Sequence, residues 1–239
     1  MTVKILVDDK KLEVQKDRSV LQACLENDIY IPHLCFMEGM SHPPASCRLC
    51  FVAVEGMEKP VTSCTLRVSD GMLIRTDTPA VRWLQRTGFR LLLSVHHIDC
   101  KNCPANKNCE LQRLARFLKI GLKPKGLENY LKEMTVDDSH PCLTYYPNRC
   151  VLCGKCIHVC RTKHGQSLFS FAGRGFNTTI NFYGKQNLNE LPCSTCYACV
   201  DICPVAALTR SQPDKINSSA SLKAEALSDI SPDNLASST

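Results

Sequence analysis

The sequence predicts an α+β chain assembled from several small modules around modest cores. Three observations lead there. The first 14 residues alternate apolar and polar side chains as a strand pair does, an amphipathic helical stretch begins near residue 79, and 17 cysteines are spread along 239 residues, most of them in groups of short, fixed spacing. Aromatic residues make up 6% of the chain and the 44% apolar fraction includes every cysteine. Cores of that kind draw part of their folding energy from bound metal.

The elements follow in order. Val3, Ile5 and Val7, then Leu12 and Val14 beyond a turn at Asp8 to Lys11, give a hairpin. Asp17 or Ser19 caps a helix carrying Val20, Leu21, Cys24 and Leu25 on one face, which Asn27 and Asp28 end before the extended Tyr30, Ile31 and Pro32. Phe51 to Glu55 and Met72 to Thr76 alternate like strands and are separated by a turn at Asp70 and Gly71. Thr78 before Pro79 starts a helix to about Val95 with Val81, Leu84, Leu92 and Val95 as its apolar face. Arg82, Arg86 and Arg90 lie four apart on another side of it, a solvated face first and a docking surface for an acidic partner second. Glycines at 173, 175 and 184 mark turns or a hairpin through Thr178 to Tyr183. Beyond Arg210 the Ser, Ala, Asp and Lys content predicts a flexible tail.

Composition excludes several classes. The N-terminus has no basic segment followed by an apolar one, so the cysteines are not expected to be the disulfides of an exported mini-protein. No apolar run approaches the roughly 20 residues that a membrane helix needs. A soluble protein of a reducing cytoplasm is the expectation. The formal charge of +6 counts cysteines as neutral, and metal-bound thiolates would reduce it. No basic run is interleaved with aromatics, so nucleic acid is set aside.

Fifteen of the cysteines and one histidine fall into four sets. Cys35, Cys47, Cys50 and Cys64 read C-x11-C-x2-C-x13-C, a long loop, a tight pair and a distant fourth ligand that can surround a 2Fe-2S core. His96, Cys100, Cys103 and Cys109 read H-x3-C-x2-C-x5-C. Cys150, Cys153, Cys156 and Cys160 read C-x2-C-x2-C-x3-C, and Cys193, Cys196, Cys199 and Cys203 repeat it before Pro204. In that repeat each run gives three ligands to one 4Fe-4S cluster and the fourth to the other. The sets are therefore Cys150, Cys153, Cys156 and Cys203, and Cys193, Cys196, Cys199 and Cys160. Arg161 stands where the motif prefers proline, and Thr162 to Leu191 is an insertion. Zinc also uses C-x2-C pairs, but three different spacings, one of them repeated, that each match an iron-sulfur pattern favour iron and sulfide. Cys24 and Cys142 remain outside the sets, the first as a buried thiol and the second as structural or free.

Residues 1–78 resemble a plant-type 2Fe-2S ferredoxin domain of β-grasp fold, in the variant at the N-terminus of complex I-type and iron-hydrogenase subunits. The glycine-free loop Met40 to Ser46 departs from the photosynthetic ferredoxins. Residues 79–140 resemble the small helical module of those families that holds a 4Fe-4S cluster on one histidine and three cysteines, with His96 rather than His97 at the ligand position. Residues 141–210 resemble a bacterial-type two-cluster ferredoxin domain, and 211–239 is the tail. In this order the modules resemble the small diaphorase subunit of soluble NAD-linked hydrogenases and the N-terminal region of the large complex I iron-sulfur subunit and of iron-only hydrogenases. The resemblance implies one 2Fe-2S cluster, three 4Fe-4S clusters and an electron relay. There is no G-x-G-x-x-G after a strand, no phosphate loop and no acid/base constellation, so FMN and NAD(P) are expected on a flavoprotein partner. A hydrogenase is the expected catalytic partner, with a formate dehydrogenase or another low-potential reductase as the alternative and a zinc-holding assembly module behind both.

Overall fold

The computed structural model describes residues 1–182 and 193–211. Strands β1 (Thr2–Val7) and β2 (Lys10–Gln15) pair antiparallel. Their turn is shorter than the sequence suggests, because Asp8 takes a left-handed conformation at φ 53° and returns Lys10 and Lys11 to the ladder opposite Val7 and Leu6. The Asp8 carboxylate accepts hydrogen bonds from the Thr76 N–H at 2.9 Å and the Thr76 hydroxyl at 2.7 Å, tying the hairpin to the far end of the domain. Helix α1 (Val20–Leu25) is capped by Ser19, whose hydroxyl accepts from the Gln22 N–H at 3.2 Å. That decides between the two predicted caps.

Strands β3 (Phe51–Val54), β4 (Val61–Thr62) and β5 (Leu73–Arg75) complete a sheet of order β2-β1-β5-β3-β4, with β1 and β5 parallel and the other pairs antiparallel. The two-residue β4 was not predicted, since two residues cannot show an alternation. Val3, Ile5, Val7, Val52 and Ile74 of the sheet and Val20, Leu21, Ala23 and Cys24 of α1 share one apolar core.

Helix α2 (Pro79–Ser94) starts at Thr78, whose hydroxyl accepts from the Val81 N–H at 3.2 Å. Its buried stripe differs from the predicted one. Val81, Gln85, Gly88, Phe89 and Leu93 are buried, whereas Leu84, Leu92 and Val95 are half-buried. The displacement has a local cause. Gln85 donates its side-chain amide to the Phe51 carbonyl at 3.0 Å, and a Cβ on Gly88 would lie 2.5 Å from the Arg48 carbonyl oxygen. Polarity and size, which exclude Gln and Gly from an apolar stripe, are what let the helix approach the cysteine loop. Trp83 and Leu91 are left 65% and 64% exposed beside the three arginines, of which Arg82 pairs with Asp77.

A single 3-10 turn at Cys100–Asn102 leads to α3 (Glu110–Leu118), which buries Leu111, Leu114, Ala115 and Leu118. Beyond it, β6 (Leu143–Tyr145) pairs antiparallel with β9 (Leu208–Arg210), closing the last module end to end. Between them lie α4 (Lys155–His164), the hairpin β7 (Phe169–Ala172) with β8 (Thr179–Phe182), and the single-turn helices α5 (Cys193–Cys196) and α6 (Ala198–Asp201). Helix α4 takes in Thr162 to His164, so the insertion begins at the left-handed Gly165. The predicted hairpin is present but starts earlier, turning at Gly173, where a Cβ would lie 2.3 Å from the Asn177 carbonyl oxygen. Tyr183, Gly184 and the predicted tail from 212 onward lie outside the described residues.

A second apolar core runs from Leu34, Cys35, Cys47 and Leu49 through Phe89, Leu93, Leu111 and Leu114 to Leu143, Tyr145 and the cysteines of the last module. Among the described residues no helix is long and apolar enough to cross a membrane.

Candidate metal centres

Cys35, Cys47, Cys50 and Cys64 are brought together where the two cores meet, each at most 3% exposed. The Cys35 and Cys47 sulfurs are 3.4 Å apart. The facing Cys47 thiol holds Cys35 down to about 6, against the opposing effect of burial, and the backbone N–H groups of Ser46 and Cys47 add to it. The same contact pushes Cys47 well up. Cys50 is likewise held down by Cys64, which is itself raised. Cys35 and Cys50 are thus the members of the set held toward the thiolate, the form that binds a soft cation. The loop achieves this without the glycine its sequence lacks, because Ala45 and Arg48 take left-handed conformations at φ 50° and 52°. Each such residue stores about 1 kcal/mol of backbone strain.

His96 is buried and His97 exposed. Burial pushes the His96 imidazole down to about 4, so the ring is neutral. Its Nδ1 is enclosed without a partner. A neutral ring with an uncommitted, enclosed nitrogen is what a histidine offers to a metal. Cys100 and Cys103 flank the 3-10 turn and Cys109 immediately precedes α3. The three thiols are half-buried, and Cys109 is raised first by burial and then by the neighbouring Cys103 and Cys100. They share a neighbourhood, whereas His96 makes no hydrogen bond to a described sulfur.

The repeat produces two cavities. One is lined by Cys150, Cys153, Cys156 and Cys203, with Tyr145, Ile180 and Val205. The other is lined by Cys160, Cys193, Cys196 and Cys199, with His164, Phe169 and Tyr197. Each therefore takes three thiols from one half of the repeat and one from the other. Left-handed turns at Leu152 (φ 52°) and Ala206 (φ 48°) accompany N–H donors aimed at sulfur, with Leu152 3.4 Å from Cys150 Sγ and Ala207 3.2 Å from Cys203 Sγ. In the second cavity Leu168 donates to Cys160 Sγ at 3.4 Å and His164 Nε2 lies 3.3 Å from Cys196 Sγ. Burial pushes Cys153 and Cys199 up to about 12 and Cys193 to about 11. Loading metal there must release protons.

Among the described residues no three His, Cys, Asp or Glu side chains converge on a point as they would for one ion. The thiols instead ring a space, and N–H groups that point at their sulfurs suit a polynuclear core. Cys24 is wholly buried in α1 and raised to about 12 by burial and by Asp8. Cys142 is half-buried and, like Cys24, lines neither cavity. Sequence reasoning missed Tyr145, His164 and Gly88, because none belongs to a ligand spacing. Gly88 carried one signal, a glycine inside a helix.

Family models match three successive segments of the chain. They describe a 2Fe-2S iron-sulfur cluster binding domain over residues 1–79, a NADH-ubiquinone oxidoreductase-G iron-sulfur binding region over 85–122, and a ferredoxin-like domain of NADH-quinone oxidoreductase subunit 3 over 140–209. The NADP-reducing hydrogenase subunit HndD of Solidesulfovibrio fructosivorans is 32% identical over 211 residues, covering 85% of this chain and 35% of that protein. The NADH-ubiquinone oxidoreductase 75 kDa subunit of Reclinomonas americana is 33% identical, covering 87% of this chain and 29% of that protein. The chain thus spans about a third or less of the curated relatives it matches. Among solved structures, a chain of NAD+-reducing [NiFe]-hydrogenase in the H2-reduced state superposes with a TM-score of 0.78 at 27% identity, over 88% of both chains. The chain carries three iron-sulfur domains of the kinds these models describe, and its homologues are NADH-ubiquinone and NADH-quinone oxidoreductase subunits and hydrogenase subunits.

Proposed function

We propose that the chain relays electrons between an NAD(P)-linked flavoprotein subunit and a catalytic subunit, through one 2Fe-2S and three 4Fe-4S clusters. The observation that carries this reading is the pair of cavities in the last module, each ringed by four thiols drawn across the repeat. In this reading Cys35, Cys47, Cys50 and Cys64 hold the 2Fe-2S centre, and His96 with Cys100, Cys103 and Cys109 the first 4Fe-4S centre. The two cavities hold the others. The domains would be 1–78, 79–140 and 141–210. When bound, clusters with complete ligand sets supply one-electron chemistry and leave no open iron position for a substrate. The chain's own residues bury the sulfurs, aim N–H groups at them and keep water out. In support of the reading, Cys35, Cys47, Cys153, Cys156, Cys160 and Cys199 lie in one continuous apolar core, with Cys109, Cys150 and Cys203 packed against it.

Flavin converts hydride to single electrons, and the FMN and NAD(P) sites belong in this reading to the partner. The likeness over 88% of both chains to a chain of NAD+-reducing hydrogenase favours a hydrogenase as the other partner. A formate dehydrogenase or other low-potential reductase fits the same relay, and a cytoplasmic location suits both. Anaerobically purified protein should carry iron and acid-labile sulfide at about 14 equivalents each, with both cluster types visible by EPR. NADH should reduce them only when the flavoprotein is added. Zinc in place of iron, or flavin and NADH oxidation in the isolated chain, would overturn the proposal.

A further inference from the structure

Helix α4 ends at His164, just before the left-handed Gly165. Cys160 and His164 are four residues apart on it, so its last turn presents both side chains on one face, and both line the cavity of Cys193, Cys196 and Cys199. Cys160 crosses from the first half of the repeat as a thiol. His164 crosses as a ring, with Nε2 3.3 Å from the Cys196 Sγ. Leu152, Ala207 and Leu168 donate to sulfur in the two cavities through backbone N–H groups. The His164 contact belongs to a side chain, so a substitution can remove it.

The sulfur decides which atom carries the hydrogen. A cysteine that ligates iron has lost its proton, so the 3.3 Å contact is a hydrogen bond in the loaded protein only with Nε2–H as donor. The neutral Nε2–H tautomer supplies that hydrogen and so does the imidazolium, and the charge of the ring does not enter. The residue is exposed, which leaves Nδ1 to solvent.

We infer that His164 donates a hydrogen bond from Nε2 to the Cys196 sulfur and thereby holds up the reduction potential of the 4Fe-4S centre in that cavity. This deepens the relay reading and rests on its assignment of Cys196 as a ligand. Reduction by the flavoprotein partner adds one electron and one negative charge to the centre, and no proton is transferred. A donor fixed on a ligand sulfur favours the more negative state, because hydrogen bonds to charged acceptors are roughly twice as strong as neutral ones. One helical turn thus carries a ligand at Cys160 and a tuning donor at His164. His164 itself is assigned no ligand role.

The test is an EPR-monitored redox titration of the full, reconstituted chain at one fixed pH, with dithionite and mediator dyes, beside iron and sulfide analysis. His164→Leu keeps apolar bulk over the sulfur and removes the donor. It should retain full iron and sulfide while one 4Fe-4S component, the one that Cys199→Ser also alters, moves to a lower midpoint and the other centres stay in place. His164→Gln, whose amide can donate, should fall between His164→Leu and the unaltered chain. Full loading with every midpoint unchanged, or a shift shared by several centres, would overturn the inference and leave the relay intact. Loss of about four iron atoms in both variants would also overturn it, because His164 would then be a ligand or a wall of the site. If only His164→Leu loses iron, His164→Gln decides: a lower midpoint of the same component supports the inference, and no shift overturns it. Absence of 4Fe-4S signals in the unaltered chain would instead overturn the relay itself.

Discussion

The N-terminal sheet domain and the C-terminal ferredoxin module both surround cysteine sets, but they reach a core by different means. The sheet domain packs Val3, Ile5, Val7, Val14, Val52, Val54 and Ile74 against Val20 and Leu21, and Cys50 and Cys64 are minor members of a core that aliphatic side chains dominate. The ferredoxin module has strands of three or four residues, and Cys153, Cys156, Cys160 and Cys199 are themselves core members. Buried area stabilises at about 25 cal/mol per Å², so the first region supplies its own folding energy while the second depends on what its thiols bind.

Stripping the metal tests this difference with the largest expected effect. After anaerobic removal of iron by oxidation and chelation, backbone amides of β1, β2 and α1 should keep their hydrogen-exchange protection. Those of β6, α4 and β9 should lose most of theirs, read by mass spectrometry on the peptides covering each element. Equal loss in both regions would mean that the sheet domain also depends on its cluster, and equal retention that neither does.

How much was legible follows the same division. Ladder alternation placed β1 and β2, and capping side chains placed the start of α2 at Thr78 and left that of α1 between Asp17 and Ser19, because hydrogen-bonding side chains at helix starts are local signals. In the last module Cys203 lies in the cavity of Cys150, Cys153 and Cys156, and Cys160 in that of Cys193, Cys196 and Cys199. The buried face of α2 was not legible. Gln85 and Gly88 are buried for what they meet, the Phe51 carbonyl and the Arg48 carbonyl, and those partners are more than 30 residues away in the chain. Tyr145 escaped for the same reason, since its donors Thr179 and Ile180 lie 34 and 35 residues on.

Where α2 meets the cysteine loop of the sheet domain, Gly88→Ala is the next largest perturbation. Alanine in a helix interior ordinarily stabilises by about 1 kcal/mol relative to glycine. Here the added methyl would meet the Arg48 carbonyl oxygen at 2.5 Å, and backbone cannot turn aside as a side-chain tip can. Overpacking of this kind costs about 1–3 kcal/mol, so the net change should be destabilising. The unfolding midpoint should fall, and the 2Fe-2S EPR signal should broaden because Arg48 lies between two of the proposed ligands. A midpoint that rises would mean the helix and the loop can separate at no cost.

The smallest effects make the sharpest comparison, because the same chemistry caps a helix within the sheet domain and the helix that follows it. Ser19→Ala removes the acceptor for the Gln22 N–H and Thr78→Ala the acceptor for the Val81 N–H, both at 3.2 Å, and each should cost about 1 kcal/mol in the loaded protein. They should part company once iron is gone. Helix α1 is enclosed by the sheet domain's own core, so Ser19→Ala should lower the exchange protection of α1 to the same extent with or without metal. Helix α2 packs through Phe89 and Leu93 into the core that the cysteines share, and in the stripped protein it should already be frayed. Thr78→Ala should then change almost nothing, because a cap contributes only while the helix it caps is formed. If its cost were unchanged by stripping, α2 would belong with the self-sufficient sheet domain, and the boundary of metal dependence would move from Thr78 to beyond Ser94.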